Sequence, residues 1–341
     1  LGIAMTASLY FIASGEWYVA LSVFMLGVVG FSGANVFYDS LIVSVAREDQ
    51  LDVVSAYGFA LGYLGGGLLF AFNVLMTLHP AMFGFADSAQ AVRVSFLSVA
   101  AWWLVFSLPL LLSVPEPGVK AHVGMAQAVR GGFRQLAQTF RRIRKLRVVF
   151  LFLVAYWLYI DGVDTIVRMA IDYGMSIGFD MGNLITALLI TQFVGFPAAI
   201  AFGYLGKHIG PKRGILIAIG VYIAGTLYAV VMDQVYEFYI LAVVIGLVQG
   251  GVQSLSRSLY ARIIPADKAA EYFGFYNMLG KFAAVLGPVM IGTVTLMTGN
   301  PRAGILSVIV LFAAGGLLLL RVDEREGARI ARELTDNHQD T

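Results

Sequence analysis

Ten apolar stretches, most of them close to the length of a membrane span, limit what this chain can fold into. They run roughly over 1–14, 18–43, 53–77, 94–114, 148–172, 183–205, 213–232, 237–261, 273–298 and 303–321. A helix needs about 20 apolar residues to cross a bilayer, where its backbone N–H and C=O groups must be satisfied internally. Turn and charge signals separate the stretches, among them Ser14-Gly15-Glu16, Arg47-Glu48-Asp49 and Gly299-Asn300-Pro301. No polar–apolar alternation is sustained, which argues against a membrane β-barrel. The chain is 59% hydrophobic and 13% charged, against roughly 25% charged residues in soluble domains. An all-α polytopic membrane protein is expected, with the short first stretch read as a cut span.

Residue 1 is Leu, inside an apolar run with no basic leader. A signal peptide needs a basic start, so the chain reads as lacking an N-terminal portion. Cysteine is absent, which excludes disulfides and thiolate chemistry.

Basic residues set the orientation. The break at 115–147 carries Lys120, Arg130, Arg134, Arg141, Arg142, Arg144, Lys145 and Arg147 against Glu116 alone. Lys207, Lys212 and Arg213 follow two spans later, Arg262 and Lys268 two spans after that, and the tail adds Arg321, Arg325, Arg329 and Arg332. The alternate loops hold only Arg93 and Arg302. The 115–147 loop and the C-terminus are therefore expected in the cytoplasm. Val129, Phe133, Leu136, Phe140 and Ile143 form one apolar stripe on the basic loop helix, which suits an anionic leaflet contacted through 125–147. A basic helix can also bind nucleic acid. This one has the membrane at both ends, so no nucleic-acid partner is expected.

The long break divides the chain into 1–114, an incomplete four-span bundle; 115–147, a basic loop; 148–321, a six-span bundle; and 322–341, a tail. Displaced by the separation of Asp39 and Arg257, Ser40-Leu41 matches Ser258-Leu259, Gly33 matches Gly251, Asn35 pairs with Gln253 and Asp49 with Asp267. Both hairpins lead into aromatic, glycine-rich spans, Tyr57-Gly58-Phe59 and Phe273-Gly274-Phe275. Parallel six-span repeats are the plan of major-facilitator transporters, and on that plan the spans present are the third to the twelfth.

The strings FYDS…GFALGYLGGG, DGVDT, FGYLGKHIGPKR, QGGVQSLSRSLYARIIP, EYFGFYNMLGKFAAVLGP and LLRVDE resemble the vacuole-effluxer-like branch of the major facilitator superfamily. The resemblance implies a twelve-helix secondary transporter; the fungal members are associated with amino-acid export, and the short central break is more similar to bacterial members. It implies a bacterial cytoplasmic membrane, a monomer, and neither cofactor nor metal. The 203–213 loop resembles the superfamily's cytoplasmic loop signature, in which an acid, thought to cap a neighbouring helix as a latch, stands where this chain has Lys207.

Polar residues inside spans mark the candidate site, because a bilayer offers no replacement for lost water. Asp161, Asp164 and Arg168 fall on one face of the seventh span of that plan. They read as a substrate-amine or proton site in which Arg168 holds Asp164 and Asp161 binds or titrates; a self-neutralising structural pair is the alternative. Asn35 and Asp39 lie one turn apart, and the repeat sets Asp39 opposite Arg257. Asp39 with Arg257 or Lys281 is expected to gate the cytoplasmic side, unless each basic residue snorkels separately. Gln249, Gln253 and Asn277, with Gln192 as a further candidate, offer neutral donors and acceptors to a small polar solute. Hydrogen bonding that merely glues helices is the alternative for these.

Gly174–Gly178 fits the serine-hydrolase GxSxG pattern, but no strand precedes it, and no phosphate loop, zinc cluster or nucleotide fingerprint occurs. The chain is expected not to be an enzyme. Secondary transport of a small polar solute, with amino-acid efflux and proton coupling as candidates, is the leading reading. A non-transporting scaffold or lipid-handling protein on the same fold is the alternative.

Overall fold

A computed structural model describes residues 1–114 and 125–339, with side chains omitted at 125–130, 133 and 337–339. Its helices are α1 (Gly2–Ser8), α2 (Trp17–Ser40), α3 (Ile42–Val45), α4 (Leu51–Leu78), α5 (Ser88–Ser113), α6 (Met125–Lys145), α7 (Arg147–Ser176), α8 (Met181–Ile209), α9 (Pro211–Val231), α10 (Val235–Ile263), α11 (Ala269–Phe282), α12 (Leu286–Thr298), α13 (Pro301–Ser307), α14 (Ile309–Leu320) and α15 (Glu324–Gln339).

Among the described residues, 9 helical stretches are long and apolar enough to cross a membrane. The tenth stretch expected from sequence forms only the short apolar helix Gly2–Phe11. At about 1.5 Å per residue it reaches roughly half of a 30 Å hydrocarbon core.

The helix ends follow local chemistry. Asp87 accepts from the N–H of Gln90 at the start of α5, and Asp180 from those of Gly182 and Asn183 at the start of α8. Gln234 and Glu237 form a capping box on α10, satisfying donors that have no partner within the helix. Between α8 and α9 the whole connection is Gly210, at φ +90°, where a side chain would be strained. Pro211 then starts α9 without needing an N–H. Lys212 donates to the carbonyls of Leu320 and Val322 at 2.9 and 2.7 Å, closing the C-terminal end of α14.

The span expected at 273–298 is interrupted. α11 ends at Phe282, residues 283–285 form a turn, and α12 begins at Leu286. Pro288 supplies the reason: it has no N–H for the carbonyl of Ala284, and its ring crowds that carbonyl.

The chain forms two compact units, Leu1–Phe37 with Gly66–Arg134, and Tyr38–Gly65 with Gln135–Thr341. In the first, α1 lies against α5, with Trp103 over Gly2 and edge-on to Phe31 at 5.8 Å. The second holds the main core. Phe152, Tyr156, Tyr159 and Val163 make a buried stripe on α7, and Tyr276 stacks on Tyr156 with centroids 4.2 Å apart. Glycines let α8 and α10 approach: a Cβ on Gly250 would lie 2.7 Å from that of Ala199, and one on Gly246 3.0 Å from the Thr191 carbonyl. A Cβ on Gly62 would meet nothing within 4 Å.

On α6, Ile143 is buried while Leu136 and Phe140 are 40% and 46% exposed. Gln135 and Thr139 both donate to Glu271 at 2.7 Å, and Phe140 stacks on Phe275. This end of the stripe therefore rests partly on α11. Val129 and Phe133 lie outside the described side chains.

Candidate functional site

The first turns of α4 run antiparallel to the last turns of α10, and the two helices meet through polar groups at successive turns. Asp52, Ser55, Phe59 and Tyr63 form the α4 stripe; Gln253, Ser254, Arg257, Ser258 and Arg262 answer it from α10. Each stripe follows the helical period of three and four residues.

Arg257 is the centre of this seam. Its side chain is 5% exposed, and Nη1 donates to Asp39 Oδ1 at 3.0 Å. Nε donates to the Ser55 hydroxyl at 2.9 Å, and Nη2 to the Ser55 carbonyl at 2.8 Å. The Ser55 hydroxyl passes its own proton to the Ser254 carbonyl at 2.7 Å. Above the guanidinium lies the Phe59 ring at 4.6 Å, with Tyr38 at 5.6 Å, a cation–π arrangement worth about 1 kcal/mol. Gly58 makes room for it: a Cβ there would stand 2.9 Å from Nη2. A buried cation is costly unless paired and hydrogen-bonded, and this one has both kinds of support.

Asp39 is held on both oxygens. Oδ1 takes Arg257, and Oδ2 takes the Asn277 amide at 3.0 Å. That amide also reaches the Phe273 carbonyl within α11. Three helices, α2, α10 and α11, thus converge on one carboxylate. Lys281 lies exposed on α11, one turn beyond Asn277.

One step toward the basic end is a second buried acid. Asp52 accepts from Ser258 Oγ at 2.5 Å and from Arg262 Nη2 at 2.7 Å. Farther out, Arg332 of α15 pairs with Glu48 across an exposed surface. The acids all come from residues 39–52, and their basic partners from α10 and α15.

In the opposite direction along α10, Tyr63 donates to Gln253 Oε1 at 2.7 Å. Gln249, one turn away, is buried, and its Oε1 has no hydrogen-bond partner. Asp164 lies 3.8 Å from Arg168, whose side chain is 59% exposed. Asp161 is separate from that pair. It is fully buried and accepts from the N–H groups of Leu286 and Gly287 at 3.1 and 2.8 Å. The sequence reading, in which Asp161 binds or titrates, did not anticipate the break in the helix opposite. Gln192 is half-buried on α8, and Asn35 is half-buried in the first compact unit. Ser176 of the GxSxG string donates to the Tyr173 carbonyl at the end of α7.

Sequence reasoning missed Asp52, Ser55, Tyr63, Ser258 and Arg262. Their partners are about 200 positions away in the chain, beyond any spacing rule. One signal was available: Ser254, Ser256 and Ser258 crowd an apolar run, and a wholly lipid-facing helix has no use for them.

The family model described as "Vacuole effluxer Atg22 like" matches residues 1–332. The uncharacterised MFS-type transporter YxiO of Bacillus subtilis is 37% identical over 339 residues, which is 98% of this chain and 78% of that protein. Autophagy-related protein 22 of Coccidioides immitis is 27% identical over 328 residues, 87% of this chain but 53% of its own length. This chain therefore spans about half of that fungal relative. Among solved structures, the E. coli fucose:proton symporter FucP superposes with a TM-score of 0.69 at 15% identity, covering 94% of this chain and 82% of that one. The proton:xylose symporter XylE gives 0.65 at 17% identity, covering 96% and 80%. At these identities the structural likeness establishes the major-facilitator fold and nothing finer.

Proposed function

The chain belongs to the vacuole effluxer Atg22-like family, and on that premise we propose that this membrane transporter carries a small polar solute by alternating access. The observation that carries the proposal is the Asp39–Arg257 pair with its Ser55 and Asn277 partners. It sits beside a polar stretch of α10 in which the Gln249 carbonyl oxygen is buried without a partner. A closed gate adjoining an unsatisfied polar wall is what a transporter needs between solute-binding events.

In this reading Asp39, Arg257 and Asn277 close the basic end, which faces the cytoplasm of a bacterial inner membrane, and Lys281 serves the same closure. Gln249 and Gln253 line the solute path with Gln192 and the Asp164–Arg168 pair. An amino acid is the favoured solute, because neutral amides with a carboxylate–guanidinium pair match both ends of a zwitterion. In the same reading Asp164, beside Arg168, is the carboxylate through which proton coupling runs. The helices then form part of a major-facilitator bundle, with 125–147 resting on anionic lipid.

The test is flux of labelled amino acids into proteoliposomes under an imposed pH gradient. Gln253→Ala and Asp164→Asn are each expected to lower flux at least about tenfold, the loss of roughly 1.4 kcal/mol of solute interaction. Flux unchanged by both overturns the site, and no flux of any amino acid overturns the solute class.

A further inference from the structure

Asp161 faces the break between α11 and α12. In an uninterrupted helix the N–H groups of Leu286 and Gly287 would donate to the carbonyls of Phe282 and Ala283. The turn at 283–285 takes those acceptors away. Both N–H groups donate instead to Asp161 of α7, Leu286 to Oδ2 at 3.1 Å and Gly287 to Oδ1 at 2.8 Å. The Thr165 hydroxyl donates to Oδ1 at 3.2 Å and occupies the space a Cβ on Gly287 would need, 1.9 Å away. α7 and α12 are therefore in direct contact at this point. A freed backbone donor in a membrane must find a partner, and a carboxylate at a helix N-terminus also meets the positive end of the dipole. Among the described residues no basic side chain forms an ion pair with Asp161, and Arg168 sits on Asp164. Its counter-charge is the start of α12.

The other half of the broken span is held by other groups. α11 reaches the gate through Asn277 and Asp39, and it meets α7 through the Tyr276–Tyr156 ring stack among other contacts. Stacked rings can slide, whereas paired N–H···carboxylate bonds cannot shift without breaking.

We propose that Asp161 is a positioning residue that pins the start of α12 to α7, so that α11 moves as a separate half-helix when the Asp39–Arg257 pair parts. This rests on the gate reading above. The break at 283–285 is the hinge, and Asp161 is its fixed side.

Backbone amide exchange on the purified full chain, with no solute present, tests the proposal independently of transport. Asp161→Asn keeps the size but turns one acceptor into a donor facing an N–H. Exchange in a peptide covering 284–290 should rise about tenfold or more, the loss expected for a hydrogen bond to a charged group, while 270–280 stays at the wild-type rate. Asp39→Asn should do the reverse. Should Asp161→Asn fail to fold, Thr165→Val removes only the hydroxyl that orients the carboxylate, and a roughly two- to threefold rise confined to 284–290 is expected. If 284–290 does not respond, or if both peptides respond together to either change, the half-helices do not move separately and the proposal fails. In flux measurements Asp161→Asn should lower the maximal rate at unchanged KM. A raised KM at full rate would place Asp161 on the solute and overturn the assignment.

Discussion

Asp39 of α2 and Arg257 of α10 stand 218 positions apart in the chain and meet in a 3.0 Å ion pair, with side chains 14% and 5% exposed. The internal repeat places them at equivalent positions of two matched hairpins, so one hairpin contributes the anion and the other the cation at the same level of the bundle. A symmetric pair of like residues could not attract in this way. The charge difference between the repeats is what lets residues 39 and 257 pair.

Removing the cation strands a buried carboxylate. Arg257→Ala is expected to destabilise the protein by about 3 kcal/mol, read as a fall in thermal unfolding temperature in detergent. Arg257→Lys should recover little of it. A single ammonium cannot donate in fork geometry to Asp39 and to both the hydroxyl and carbonyl of Ser55.

Two glycines on one helix should respond in opposite directions. Gly58→Ala places a Cβ 2.9 Å from Arg257 Nη2 and 3.0 Å from the Tyr38 hydroxyl, and overpacking of that kind costs about 1–3 kcal/mol. A Cβ on Gly62 meets nothing within 4 Å, so Gly62→Ala should gain up to about 1 kcal/mol from helix propensity. Thermal unfolding of the two variants side by side checks the sign of each.

The acid–base pairs should also differ in rank. Asp52 is 2% exposed, and Asp52→Asn leaves Arg262 without its carboxylate, at a cost of about 3 kcal/mol that is nearly independent of salt. Arg332→Ala breaks the exposed pair with Glu48, whose side chains are 66% and 53% exposed, and should change stability by less than about 1 kcal/mol. Unfolding curves at low and high ionic strength separate the two cases.

The spans were legible because membrane crossing imposes length and hydropathy locally. Arg257 and Asp39 were legible because the repeat supplied a long-range register. Asp52 and Arg262 were not: at the edge of a span each looks like an interfacial charge, and only folding shows that they bury each other. The break before α12 was written in Pro288, yet a continuous apolar run masked it. Consequently the contact of Asp161 with the freed N–H groups was not foreseen.

The most direct test of the account is flux of labelled amino acids by the full chain in proteoliposomes, comparing Asp39→Arg, Arg257→Asp and the double exchange with the wild type. Each single change buries two like charges against one another and should abolish most of the flux. The account predicts that the double exchange restores flux clearly above both single variants. A double exchange no better than either one would contradict it.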